Sequence, residues 1–214
     1  MAALLVFIVG WLLLQPPLQQ NPAIIVVMET EMGTITMEID TVHAPITAAN
    51  FLRYVDGGFY DGGEFHRAVR PDNEARKDVP IQVVQARNNP AKTGEKFPPI
   101  PLERTSVTGL KHRDGTLSMA RDVTPTRRGA DTATSDIFIS IGDQPLLDDG
   151  GRRSPDGLGF GAFGRIVGGM DVVRKIQAAP TPASTAATNL AAPGQTLVPP
   201  IRILRAYRKQ PSTR

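Results

Sequence analysis

Hydrophobic and polar positions alternate along much of this chain with a period of two, and only twice with a period near 3.6 residues. Ile24 to Met28 is a run rich in β-branched residues, and Ile35, Met37 and Ile39 alternate with Thr34, Thr36 and Glu38. The two runs flank Gly33, which predicts a hairpin with one buried face. Ala48, Phe51, Leu52 and Val55 follow at i, i+3, i+4 and i+7, the apolar stripe of a short helix. Pro45 suits its first turn, and Gly57 and Gly58 suit its end.

Further strands are expected over 81–85, 115–120, 137–141, 163–167 and 201–206, and a second short helix over 169–177 that buries Val172, Val173 and Ile176. Arg70 to Pro80 reads as a charged, proline-flanked loop, Asn88 to Pro101 as an irregular Ω-like loop, and Asp122 to Thr134 as a polar loop. Ala178 to Pro199 is a low-complexity Ala/Thr/Pro linker or loop. Many short strands with two short helices predict a mainly β domain, a closed or nearly closed antiparallel barrel.

Composition narrows the chemistry. The 214 residues are 41% hydrophobic and 21% charged, which fits one domain with a real core. The net charge of +3 is too small and too scattered to suggest nucleic acid. Having no cysteine, the chain has no disulfide, thiolate nucleophile or cysteine-ligated zinc. His43, His66 and His112 lack metal-ligand spacing, so neither a metal nor a cofactor is expected.

The amino terminus stands apart. Ala2 to Leu14 is an unbroken apolar run, and no charged side chain precedes Glu29. Its length suits a signal-peptide core and falls short of the ~20 residues that span a bilayer as a helix. No Lys or Arg precedes the run, and Gln15-Pro16-Pro17-Leu18 offers no small-residue cleavage site, so an uncleaved anchor stays open beside a cleaved signal. Either way the expectation is export, to a periplasmic or cell-envelope compartment. Residues 1–22 would be the targeting segment, with membrane association through 2–14, and 23–210 the folded domain.

Two motifs fail on context. Gly159, Gly161 and Gly164 match a dinucleotide fingerprint, but an irregular loop precedes them and a strand follows, where a strand and then a helix are required. His112-Arg113-Asp114 resembles a kinase catalytic triplet without the accompanying phosphate loop. No serine sits in a nucleophile elbow. The densest candidate is Phe59 to Arg67, where aromatics are bracketed by Gly57, Gly58, Gly62 and Gly63. Arg67, on a strand after two turns, is a fixed fork of five donors; the residues alone equally allow an arginine facing solvent.

In order along the chain stand Ala49-Asn50-Phe51, Phe65-His66-Arg67, Leu117-Ser118-Met119-Ala120-Arg121, Ser135-Asp136-Ile137-Phe138-Ile139, Phe163-Gly164-Arg165-Ile166-Val167 and Gly168-Gly169-Met170-Asp171-Val172-Val173. With these the chain resembles a bacterial member of the cyclophilin family of peptidyl-prolyl isomerases, from about Ile24 to Arg208. The resemblance implies a closed eight-stranded antiparallel barrel capped by two short helices, with the active groove on its outer surface. It implies a monomer acting on proline-containing, unfolded or partly folded polypeptides.

The chemistry suits such residues. Amide resonance sets a barrier of about 18–20 kcal/mol to rotation about an X-Pro bond. A donor aimed at the turning prolyl nitrogen weakens that resonance, and no nucleophile is needed. By resemblance Arg67 is this donor and Gln85 orients it. Phe138 floors the proline pocket, or is a plain core residue, and Met119 and Ala120 lie along the groove.

Departures accompany the match. The segment between Arg67 and Gln85 is longer than in the family, and Gln82 and Val83 replace an aromatic and a methionine in the pocket wall. Leu146 replaces a groove aromatic, Phe160 a polar ring at the groove edge, and Asp136 a glutamine. A carboxylate at 136 would pair with Arg67 and damp it, unless it turned to Arg121 or to water. These changes keep open a competing class, a barrel that binds proline peptides without catalysis; Arg67, Gln85 and Phe138 favour the enzyme.

Overall fold

The computed structural model describes residues 23–95, 97–123, 129–182 and 194–210; the expected targeting segment 1–22 and part of the Ala/Thr/Pro stretch lie outside them. Ile24–Thr30 (β1) and Gly33–Ile39 (β2) form the expected hairpin, with Ile24 opposite Ile39 and Thr30 opposite Gly33. Along β2 the alternation does what it predicts: Ile35, Met37 and Ile39 are buried while Thr34, Thr36 and Glu38 are not.

Helix α1 (Pro45–Asp56) follows, with proline in its first turn. Its Ile46 and Thr47 amides donate to the Glu103 carboxylate at 3.0 and 2.7 Å, so a distant side chain caps it and complements its dipole. Then come Glu64–Val69 (β3), Val83–Arg87 (β4), a one-turn helix Thr105–Thr108 (α2), Thr116–Met119 (β5) and Ile137–Ser140 (β6). Gly161–Gly168 (β7), Met170–Ala178 (α3) and Thr196–Arg208 (β8) complete the chain.

The strands close in the order β1-β2-β7-β5-β6-β4-β3-β8, every neighbouring pair antiparallel. The fold is the expected mainly β, eight-stranded closed barrel, and closure leaves no sheet edge to template aggregation. Phe51 of α1 reaches the core against Tyr60 and Phe163, at ring separations of 5.5 and 5.2 Å. From α3, Val172, Val173 and Ile176 enter the same core.

Two of the fingerprint glycines, Gly159 and Gly164, have a packing reason instead, as does Gly169 beyond them. A Cβ on Gly164, within β7, would stand 2.5 Å from the Glu38 carbonyl of β2. Gly169, at φ +83, turns the chain into α3 where a Cβ would meet the Thr34 carbonyl at 2.2 Å.

Three expectations change. β4 begins at Val83 rather than Ile81, because the Gln82 amide is taken by the Gln144 side chain at 3.2 Å. The loop after Asn88 winds a 3₁₀ turn at Pro90–Glu95. β8 starts at Thr196, inside the stretch read as linker. It pairs with β3 at Thr196 and again at Ile201 and Arg202, and Pro199 and Pro200 fall between those pairings, where a missing N–H costs the ladder nothing.

Candidate active site

Strand register assembles the site. Arg67 of β3 lies opposite Gln85 of β4, and Gln85 lies opposite Phe138 of β6, so the three share one row across adjacent strands. That row faces outward. In β6 the neighbours Ile137 and Ile139 enter the barrel core, whereas Phe138 joins Val69, Ile81, Val83 and Leu147 in a separate cluster outside it. Phe138 is therefore no plain barrel-core residue.

Arg67 reaches this face through a β-bulge. Phe65 pairs with Ala86 and Arg67 with Gln85, so His66 is an extra residue, and the pairing with β8 shifts at the same point. Phe65 is fully buried inside the barrel. Without the bulge the period of two would send Arg67 to the same side as Phe65, into the core.

The guanidinium is held from two sides. Nη1 donates to Gln85 Oε1 at 3.1 Å, while Nε and Nη2 both donate to Gln195 Oε1 at 3.0 and 2.7 Å. Gln195 in turn donates to the Asn73 carbonyl at 3.1 Å, and the Ala68 amide donates to the Gln195 carbonyl at 2.9 Å. Burial, then the charge of Arg153, pulls the Arg67 pKa down to about 10, with Glu74 acting the other way. Next to it, burial first and then Arg87 and Arg67 push His66 down to about 4.

A groove of about 250 Å³ lies along this face, lined by Arg67, Gln85, Val83, Ala120, Phe138 and Phe160 together with Ile81, Val123, Leu147, Arg76, Arg121 and Arg153. Phe160 stands edge-on to Phe138 at 5.5 Å. Behind Phe138 the buried His112 ring stacks at 5.8 Å, and its Nδ1 is 2.7 Å from Asp148 Oδ1. Burial pushes the Asp148 carboxyl up, but hydrogen bonds from His112 outweigh it and hold the group below its usual range.

Loops supply the other wall. Buried Glu74 pairs with Arg153 at 3.0 Å, and Arg153 also donates to the Val79 carbonyl at 2.9 Å. Arg121 binds both oxygens of Asp156 at 2.7 and 2.8 Å and donates to the Gly159 carbonyl, with its guanidinium 5.4 Å from the Phe160 ring centre. Those hydrogen bonds lower the Asp156 pKa to about 2.

Of the expected site residues, Arg67, Gln85, Val83, Ala120, Phe138 and Phe160 meet in the groove. Three do not. Met119 points into the barrel core, being the last residue of β5, and Ala120 is the one that faces the groove. Leu146 lies with Pro71, Pro80 and Pro145 in a neighbouring depression, and Leu147 takes the groove side of that 3₁₀ turn (Pro145–Leu147). Asp136 lines no part of the groove: its charge is felt by Tyr54 and Tyr60, and its carbonyl accepts from the Ala120 amide at 2.8 Å.

Sequence reasoning missed Gln195, Glu74, Arg76 and Arg153. Gln195 sits in the Ala/Thr/Pro stretch, and with the last strand expected only from 201 nothing in the sequence marked it out. Glu74 was legible only as one charge in a charged loop. Among the described residues no cluster of His, Cys, Asp or Glu could hold a metal ion.

The family of cyclophilin type peptidyl-prolyl cis-trans isomerases matches the chain over residues 25–207. A peptidyl-prolyl cis-trans isomerase of Acinetobacter baylyi is 35% identical over 154 residues, 72% of each chain. Isomerase B of Escherichia coli is 32% identical over 156 residues, 73% of this chain and 85% of its own. The solved cyclophilin type isomerase of Cryptosporidium parvum superposes with a TM-score of 0.63 at 18% identity, covering 88% of this chain and 99% of its own. That protein has also been crystallised in the presence of the dipeptide Ala-Pro, again with a matching fold (TM-score 0.62).

Barrel, family match and bacterial relatives agree on the class, an isomerase of peptidyl-prolyl bonds. The chain belongs to the cyclophilin family.

Proposed function

We propose that the groove receives an X-Pro segment of an unfolded or partly folded polypeptide, with the proline ring on Phe138 between Val83 and Phe160. Arg67 donates to the prolyl nitrogen as it turns pyramidal. The observation that carries this is the clamp on the guanidinium: three of its N–H groups are spent on Gln85 and Gln195. A guanidinium has five donors, so two remain for substrate, already oriented. Because the clamp acceptors are neutral amides, the charge of Arg67 stays available to the developing lone pair. His112, held by Asp148 and stacked on Phe138, keeps the pocket floor from turning aside.

Exchange spectroscopy on a short X-Pro peptide tests the assignment. The unaltered chain should accelerate cis/trans exchange, and Arg67→Ala should not; an active Arg67→Ala variant would remove Arg67 from the mechanism. The reading also places the enzyme in an exported compartment, supported by the apolar run Ala2 to Leu14. Trp11, the only tryptophan, reports on that segment: protein recovered from the cell envelope with tryptophan emission retains it, as an anchor, and tyrosine-only emission marks a cleaved signal.

A further inference from the structure

We propose that the groove selects proline segments carrying an acidic side chain within one or two residues of the proline, and that Arg76 reads it. This rests on the reading of the groove as the proline site and names its preferred substrate class. Four of the residues lining the groove are arginines, Arg67, Arg76, Arg121 and Arg153, and none is a carboxylate.

The arginines are not equally neutralised. Arg121 has the bidentate Asp156, and Arg153 has the buried Glu74. Arg67 rests on neutral glutamine oxygens. Arg76 is exposed; its Nη1 donates to the Arg153 carbonyl at 2.9 Å, and its backbone amide donates to Glu74 Oε1 at 2.8 Å. Neither contact gives its guanidinium a carboxylate, and among the described residues no ion pair involves it.

Two cations thus face the groove without counter-ions of their own, one at the reacting bond and one on the loop rim. Burial is the first cause of the lowered Arg67 pKa; the charge of Arg153 adds to it and Glu74 opposes it. An acidic side chain beside the proline supplies the missing charge where partial burial weakens solvent screening, and a basic one meets like charge. The hydrogen bond to the Arg153 carbonyl ties Arg76 to the loop wall of the groove instead of leaving it wholly to water, which lowers the entropy cost of recognition.

Exchange spectroscopy with the full chain and peptides differing only in Glu, Gln or Lys beside the proline, before or after it, tests the proposal. At low salt kcat/KM should fall in the order Glu, Gln, Lys, by about fivefold per step. The spread should collapse in about 1 M salt, where the Debye length is about 3 Å. Arg76→Glu should abolish or invert the order, and Arg76→Gln should compress it. Equal rates for Glu and Gln at low salt, or an order that neither Arg76 variant changes, overturns the selectivity while leaving the isomerase site standing. No acceleration of any peptide overturns the reading of the site, and the selectivity with it.

Discussion

On one side of the groove Arg67, Gln85 and Phe138 share a row across three paired strands; on the other, Glu74, Arg76, Arg121, Arg153 and Asp156 come from segments with no ladder at all. The strand wall is positioned by register: a one-residue slip would turn each of its side chains to the opposite face. The loop wall is positioned by charge, through a buried pair at Glu74–Arg153 and a bidentate pair at Arg121–Asp156. Register can hold a catalytic group to a fraction of an ångström, while ion-paired loops can vary in sequence without disturbing the barrel. Chemistry should therefore reside on the strand wall, and substrate choice and acid tolerance should divide between the two.

The largest effect separates them at once. Arg67→Ala should lower kcat/KM by roughly 100- to 1,000-fold, about 3–4 kcal/mol of transition-state stabilisation, with cooperative thermal unfolding retained. Arg67→Lys should fail nearly as badly, because an ammonium cannot donate to Gln85 and Gln195 together and still point at the prolyl nitrogen. No single substitution on the loop wall should approach this loss in kcat.

Acid should reach the strand wall first. Folded His66 stays neutral down to about pH 4, whereas unfolded His66 protonates near its ordinary 6.5. Between those values the unfolded chain binds the extra proton, so stability is full above pH 6.5 and falls as pH drops toward 4, by on the order of 3 kcal/mol. The Arg121–Asp156 pair behaves later. With a folded pKa of about 2 against an ordinary 3.8, its contribution persists above pH 4 and is lost only as pH falls toward 2. Denaturant midpoints measured across pH should show the first decline in the unaltered chain and a flattened one in His66→Phe. An unchanged curve in that variant would mean that some other group carries the titration.

A smaller effect tests where the walls meet. Gln195 is a positioning residue that takes two of the three clamp bonds on Arg67. Gln195→Ala should cost about tenfold in kcat, near 1.4 kcal/mol, with KM for a short peptide little changed. Gln195→Asn should not rescue, being one methylene too short. Equal losses in kcat and gains in KM would instead point to a disturbed groove.

What could be read in advance follows the same division. The barrel strands, both longer helices and the row Arg67, Gln85, Phe138 were legible, because alternation and helical stripes are local patterns that folding merely executes. The bulge at His66 was not, since an inserted residue leaves no mark in a six-residue strand. Nor were Gln195, Glu74 and Arg153, whose meaning depends on which loops fold beside each other. Ala120 was read correctly, but its neighbour Met119 was placed in the groove as well, and Leu146 was chosen where the next residue, Leu147, faces it. A resemblance fixes the neighbourhood of a side chain more firmly than its direction.

Asp136 gives the smallest expected effect and the sharpest check on the strand wall. From the sequence, a carboxylate there would pair with Arg67 and damp it, so Asp136→Gln would raise activity. The geometry removes the premise. The three hydrogen bonds of the Arg67 guanidinium end on glutamine oxygens, and its pKa is set by burial, Arg153 and Glu74. The other expected partner, Arg121, is bidentate to Asp156. Asp136 precedes β6 on the side of Tyr54 and Tyr60, whose hydroxyl pKa values are raised by burial first, with the charge of Asp136 adding to it. Tyr60 is fully buried and donates to the Ser135 carbonyl at 2.5 Å, so a change at 136 should be felt in that contact rather than in the groove. Asp136→Gln should therefore leave kcat/KM on a neutral peptide within about twofold, below 0.5 kcal/mol, and added salt should not raise the activity of the unaltered chain. A gain of about fivefold in that variant would restore the brake and show that the guanidinium samples a second orientation, toward β6, during turnover.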